Sequence, residues 1–223
     1  MLTLSTLMRQ YTYMTQPSAT GARAVRQYHH GNLRATLIEA GLKLIEEKGV
    51  RALTLREIGN QVGVSRTAAY RHFADKEALL AAICEAGFAQ FADTLDLARR
   101  RARKGFASRL TAMALAYVRF AVEHPAYYEV MFGWRGGLAD VTPVPKSESA
   151  ARAFGILEST ISEGQQTGDV RPGDTAMLAR LVWAQVHGIS TLRLEPDFNA
   201  DGEGTRFVRF CSEILRAGLA KNR

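Results

Sequence analysis

An all-α fold is predicted for this chain, and three observations predict it. Apolar residues recur at spacings of three and four from Leu33 to Leu219, the period of a helix face. No segment alternates apolar and polar residues as a half-buried strand does. Ser, Thr or Asp stands just ahead of several apolar runs, where helix caps belong, and Gly or Pro follows them. With 223 residues and 47% hydrophobic content, the chain can build more than one core.

The elements follow in order. The first helix runs from Leu33 to Lys48, with Leu33, Leu37, Ala40, Leu44 and Ile45 as its packing stripe. Thr54 and Glu57 form a T-x-x-E capping box, in which each side chain is expected to bond the other's backbone N–H. The short helix behind it carries Leu55, Ile58 and Val62 on one face. Gly63 stands where a positive φ is needed to leave that helix. Ser65 caps a two-turn helix from Arg66 to His72, and the small Ala68 and Ala69 let part of it approach another surface. Asp75 caps a long helix to about Arg103, with Glu77 in its first turn. Helices from about Ser108 to Glu123, from Pro125 to Phe132, from about Ser147 to Gln166, from Asp174 to Leu194 and from Thr205 to Leu219 complete the set of nine. Gly- and Pro-rich loops are expected at 133–146 and 196–204. The basic run at 99–104 falls at a helix end, where it complements the dipole.

Residues 53 to 80 carry most of the functional information. A capped helix, a Gly-Val-Ser turn and a short polar helix form the layout of a helix-turn-helix, whose second helix can enter the major groove of DNA. Arg66 and Thr67 open that helix. An arginine suits guanine O6 and N7 together, and a threonine methyl suits that of thymine; a phosphate contact is the alternative role of Arg66. The charge agrees: the formal net charge is +7, and residues 1–80 hold 11 Lys and Arg against 6 Asp and Glu, whereas the rest holds 18 against 16. Residues 1–38 contain no acid, so Arg23 and Arg26 are candidates for a basic arm that enters a minor groove.

Other classes find less support. The chain shows no Gly-rich phosphate loop, no G-x-S-x-G and no H-E-x-x-H, so neither a catalytic set nor a cofactor or metal site is expected. A helical enzyme is the reading from another class, and a DNA-binding regulator without a ligand is the nearer alternative. Cys84 and Cys211 read as small helix residues in a reducing, cytoplasmic setting. No membrane association is expected, because no uninterrupted apolar run reaches spanning length. The first twenty residues do not resemble a secretory signal, and Met8 and Met14 offer later starts.

The stretch 32–85 resembles the amino-terminal domain of the TetR family of transcriptional regulators, through Ala40, Gly49, Thr54, Ile58, Gly63, Val64, Ser65, Tyr70, Phe73, Lys76, Glu77 and Leu79. Trp183, His187 and Gly188 form a W-x-x-x-H-G motif similar to the WHG carboxy-terminal domain of a subset of that family. The resemblance implies a flexible basic extension (1–28), a three-helix DNA-binding domain (29–77) and a six-helix effector-binding and dimerisation domain (78–223). It implies phosphate contacts by Thr54, Tyr70, His72 and Lys76, with Ser65 beside them, and a homodimer formed through the last two long helices.

It also implies an effector pocket. The candidate lining is Tyr117, Phe120, Tyr127, Tyr128, Phe132, Phe154, Trp183 and His187, an aromatic set with a few polar fixtures. The same residues could equally pack a core. The expected function is a homodimeric regulator that represses from a palindromic operator and is released by a small, largely apolar effector of unknown identity.

Overall fold

Leu37, Leu44 and Ile45 are almost wholly buried along one side of the first helix, α1 (Leu33–Lys48), as their spacing requires. In the computed structural model, residues 32–133, 147–195 and 204–220 are described, and among them every regular element is helical. After α1 come a single 3₁₀ turn at Val50–Ala52, which the sequence does not announce, then α2 (Leu55–Val62), α3 (Arg66–His72) and α4 (Lys76–Arg101). There follow α5 (Phe106–Glu123), α6 (Pro125–Phe132), α7 (Glu148–Thr167), α8 (Thr175–Leu194) and α9 (Gly204–Leu219). The expected loops at 133–146 and 196–204 lie almost wholly outside the described residues.

Caps fix most boundaries. Asp75, Ser147 and Asp174 each accept from the backbone N–H three residues on, at 2.7, 2.9 and 3.1 Å, and so start α4, α7 and α8. Pro125 starts α6, its missing N–H being one that a helix start leaves unpaired anyway. The capping box at α2 is only half made. Thr54 Oγ1 accepts from the Glu57 N–H at 3.1 Å, but the Glu57 carboxylate turns to Lys48 Nζ at 3.5 Å.

From Leu33 onward the described chain packs as one unit. The central member is α4, packed along α5 and α7 and against α1 and α6. It is the one described helix long and apolar enough to cross a membrane by length and composition, and half of that stretch is buried inside the protein. Its basic end has a structural use: Arg99 and Arg109 both bond the Glu163 carboxylate, the former at 2.9 Å, tying α4 and α5 to α7. Near the other end, the Glu85 carboxylate accepts from the Ser149 N–H at 3.2 Å and holds the start of α7. Bonds from Ser147 and Ser149 keep its pKa below the ordinary value.

The close approach of α6 to α4 depends on Gly87. A Cβ there would lie 2.7 Å from Tyr127 Cδ1 and 2.8 Å from Met131 Sδ. Gly87→Ala is therefore expected to cost about 1–3 kcal/mol in chemical denaturation, the usual range for overpacking. Unchanged stability would mean that α6 yields freely.

Candidate DNA interface and candidate effector cavity

The DNA-facing unit is built around two buried anchors. Ala69 on α3 is fully buried, Phe73 just beyond is nearly so, and together they hold α3 against the rest of the unit. Gly63 adopts φ 77° and ψ 28°, a left-handed conformation that reverses the chain at low cost only for glycine. The Val64 N–H donates to the Gly59 carbonyl at 2.9 Å and closes the turn. Ser65 Oγ accepts from the Ala68 N–H at 3.2 Å and starts α3.

With one side anchored, α3 exposes Arg66, Thr67, Tyr70, Arg71 and His72. The Arg66 guanidinium lies 5.3 Å from the Tyr70 ring centroid, one turn along, in a cation–π contact that steadies it on this face. Thr54 and Ser65 are exposed and use an oxygen lone pair for capping, so each hydroxyl hydrogen remains able to donate. Arg71 shares the exposed face, although spacing alone does not single it out. Nothing along the chain separates it from any other surface arginine. Arg23 and Arg26 lie outside the described residues.

Lys76 differs from its expected place. Its ammonium donates to the Val50 carbonyl at 2.9 Å and lies 3.4 Å from the Arg51 carbonyl. The Val50 carbonyl also accepts from the Leu53 N–H at 3.2 Å, and the lysine stem reaches this turn from the start of α4. Lys76 thus ties the start of α4 to the 3₁₀ turn before it meets any phosphate. Lys76→Ala is expected to lower stability by about 1–2 kcal/mol, because the part-buried Val50 carbonyl loses a charged donor. Unchanged melting with a flatter dependence of operator affinity on salt would restore a phosphate contact as its main role.

A second feature lies among α4, α5, α7, α8 and α9. There a cavity of about 550 Å³ is lined by Phe88, Phe91 and Leu95 of α4, Leu110, Met113 and Tyr117 of α5, Phe154 and Leu157 of α7, Val182, Trp183, Val186 and Ile189 of α8, and Leu215 of α9. Met131 and Phe132 of α6 reach its wall, as do Arg180, Gln185, Cys211 and Ser212. The size suits a small organic molecule.

The cavity wall takes up half of the expected aromatic set. Tyr117, Phe132, Phe154 and Trp183 line it, whereas Phe120, Tyr127, Tyr128 and His187 do not. Phe120 is buried against Phe91, with ring centroids 5.1 Å apart. Tyr127 points from α6 toward α4 and stands near Glu39 of α1, where burial raises its pKa. Tyr128 is fully buried behind the wall.

His187 joins the two layers. The Tyr117 and Tyr128 hydroxyls both lie 2.9 Å from its Nδ1, and Trp183 Nε1–H donates to the Tyr117 oxygen at 3.3 Å. Burial pushes the Tyr128 phenol up to about 12, raises Tyr117 well above its ordinary value and lowers His187. All three groups are therefore held neutral near pH 7. The knot links α5, α6 and α8.

The lining residues that sequence reasoning did not assign to the pocket, such as Leu110, Met113, Val186 and Leu215, sit at ordinary helical core positions. Cys84 is buried as expected, its thiol pushed up to about 11 chiefly by desolvation, while Cys211 reaches the cavity. No cluster of potential metal ligands occurs among the described residues.

Two family descriptions match this arrangement. Residues 37–83 match the bacterial regulatory proteins of the tetR family, and residues 110–216 match the tetracyclin repressor-like carboxy-terminal domain. The chain belongs to the TetR family. This TetR-family chain is thus a DNA-binding transcriptional regulator, of a family whose members are not enzymes. The carboxy-terminal match spans the cavity walls on α5, α7 and α8 as well as Trp183, His187 and Gly188.

Relatives agree with the family. The HTH-type transcriptional regulator Rv1816 of Mycobacterium tuberculosis is 25% identical over 195 residues, covering 76% of this chain and 83% of that protein. The tetracycline repressor protein class A from transposon 1721 of Escherichia coli is 46% identical over 55 residues, covering 25% of this chain and 26% of the repressor. A solved protein of unknown function from Rhodococcus sp. RHA1 is 32% identical with a TM-score of 0.77, covering 88% of this chain and all of that one.

Proposed function

We propose that this TetR-family regulator is a homodimeric repressor that reads a palindromic operator with paired α3 helices and is released by a small, largely apolar effector. The observation that carries the reading is the pairing of an exposed, well-anchored α3 with a cavity of about 550 Å³ farther along the same unit. The cavity favours this reading over a regulator without a ligand, which would pack its second half fully. In this account Arg66 and Thr67 meet base edges. Thr54, Ser65, Tyr70 and His72 meet phosphates, with Arg71 added to them, and Arg23 and Arg26 serve a minor-groove arm.

Several features support a dimer through α8 and α9. Met177, Leu181 and Leu192 on α8 and Phe210 and Ile214 on α9 are large apolar side chains left exposed. Gly188 on α8 is also exposed, and an added Cβ there would meet nothing within 4 Å beyond its own stretch of helix. Nothing within the chain demands a glycine at that place, whereas a close helix from a second copy would. Two-fold pairing also doubles the base contacts available to a short recognition helix.

Coupling would run through α6. Met131 and Phe132 touch the cavity, while the same helix packs against α1 and α4. A ligand that displaces α6 thereby moves the base of the DNA-facing unit. Coupling energies of about 1–3 kcal/mol are the usual scale, enough to change operator occupancy many-fold.

The test is selection of binding sites from random DNA, followed by transcription in vitro from a promoter overlapping the recovered site. The expected results are an inverted repeat and less transcript. A single unpaired site overturns the dimer reading, and more transcript overturns repression. In the same selection, Arg66→Ala is expected to relax preference at one base pair per half-site, by about 1–3 kcal/mol. A uniform loss across all sequences would instead make Arg66 a phosphate contact.

A further inference from the structure

The proposed cavity leaves the effector's chemistry open, and its polar groups narrow that choice. Most polar side chains on the wall are already engaged. Trp183 donates to Tyr117 at 3.3 Å, and the Tyr117 hydroxyl lies 2.9 Å from His187 Nδ1. Ser212 Oγ donates to the Val208 carbonyl at 2.8 Å, and the Gln185 amide lies 3.4 Å from the Cys211 carbonyl. Each satisfied donor is one that a ligand could win only by breaking an internal bond.

Arg180 stands apart by its charge. It is the one charged residue among the described lining residues, and none of the described ion pairs includes it. One guanidinium N–H points weakly at Met177 Sδ, 3.6 Å away, and the remaining donors have no described partner. The side chain is exposed, as is Trp183, so these two residues mark where the cavity meets solvent on α8. No carboxylate lines the described wall to repel an anion.

We infer that the effector is an amphipathic anion, an apolar body seated in the cavity with one terminal acidic group held at the mouth by Arg180. This rests on the reading of the cavity as the effector site. The division of labour is physical. The apolar wall supplies affinity by burying hydrocarbon, and a planar guanidinium supplies direction, since it matches a carboxylate or phosphate with two parallel N–H bonds. A cationic ligand would meet Arg180 with its own charge, and a neutral one would leave it unused.

Three probes with one tail separate the possibilities: dodecanoate, dodecanol and dodecyltrimethylammonium, each kept below micelle formation. Binding to the full-length protein is followed by calorimetry. Dodecanoate is expected to bind about five- to tenfold more tightly than dodecanol, the scale of a partly exposed charge-assisted pair, and the cation more weakly than both. The preference for the anion should vanish in Arg180→Gln and persist in Arg180→Lys. Thermal melting of each variant checks folding, and dodecanol affinity in the same variants reports on the intact cavity. Equal binding of dodecanoate and dodecanol to the unaltered protein, or an anion preference that survives Arg180→Gln, overturns the inference and leaves the cavity reading standing. Absence of binding by all three overturns both. An anion of different headgroup, dodecyl phosphate, distinguishes the acid: tighter binding than dodecanoate assigns a phosphate, weaker a carboxylate.

Discussion

Replacing His187 by phenylalanine is expected to lower the free energy of unfolding by about 2–4 kcal/mol, because two buried phenol groups lose a shared partner at once. Tyr128 is fully buried and Tyr117 nearly so, and both hydroxyls stand 2.9 Å from the same nitrogen. The ring's bulk is kept, so cavity formation is not the cause. Tyr128→Phe should cost less, about 1 kcal/mol, since His187 keeps Tyr117 as a partner. A triple change of Tyr117, Tyr128 and His187 to phenylalanine should recover part of the loss, because both phenols and the ring nitrogens go together and only the part-buried Trp183 N–H loses its partner.

Urea denaturation checks all three. The same knot has a pH signature. Burial lowers the His187 pKa below its ordinary 6.5 in the folded protein, so the unfolded chain binds the extra proton first as pH falls. Stability contributed by the neutral ring is present above that value and is lost as pH drops toward the folded pKa; this slope should be absent from His187→Phe. A His187→Phe variant with undiminished stability at neutral pH would show that the knot is dispensable.

The second large effect concerns assembly. Changing Leu181 and Ile214 together to glutamate places charges on the exposed apolar faces of α8 and α9. If these faces join two copies, the variant should sediment as a monomer. Operator affinity should then fall by at least about a hundredfold, since each chain reads one half-site. Leu97→Glu, at a comparably exposed apolar position on α4, serves as the control and should leave both measurements unchanged. A variant that remains dimeric would move the interface elsewhere.

The distinction between these two experiments follows the way the molecule is encoded. The helix-turn-helix was legible because its signals are local. Thr54, Gly63, Ser65 and Asp75 act within three or four residues of their own position, and each is found in the role its side chain or backbone freedom dictates. Helix order and ends were legible for the same reason, from Pro125 to the Asp174 cap of α8. The exposed stretch of α3 could be anticipated once Ala69 and Phe73 were seen as its buried side.

What the sequence could not decide was which way each side chain points once helices meet. Lys76 looks like a surface cation in sequence, and only the 3₁₀ turn across from it turns the ammonium toward Val50 and Arg51. Glu57 completes a capping box on paper and pairs with Lys48 in space. The sharpest case is the aromatic set. A residue that lines a cavity and one that packs behind it share the same helical period, so Tyr117 and Tyr128 read alike. Their difference arises from crossing helices: α5 brings Tyr117 to the void, while α6, drawn close by Gly87, buries Tyr128 against His187. The sequence alone determined the α-helices, the residues that start them and the family, because those depend on neighbours along the chain. The cavity, the placing of Arg180 at its described wall and the buried knot beside it were decided by tertiary packing, because each depends on distances between residues that lie far apart along the chain.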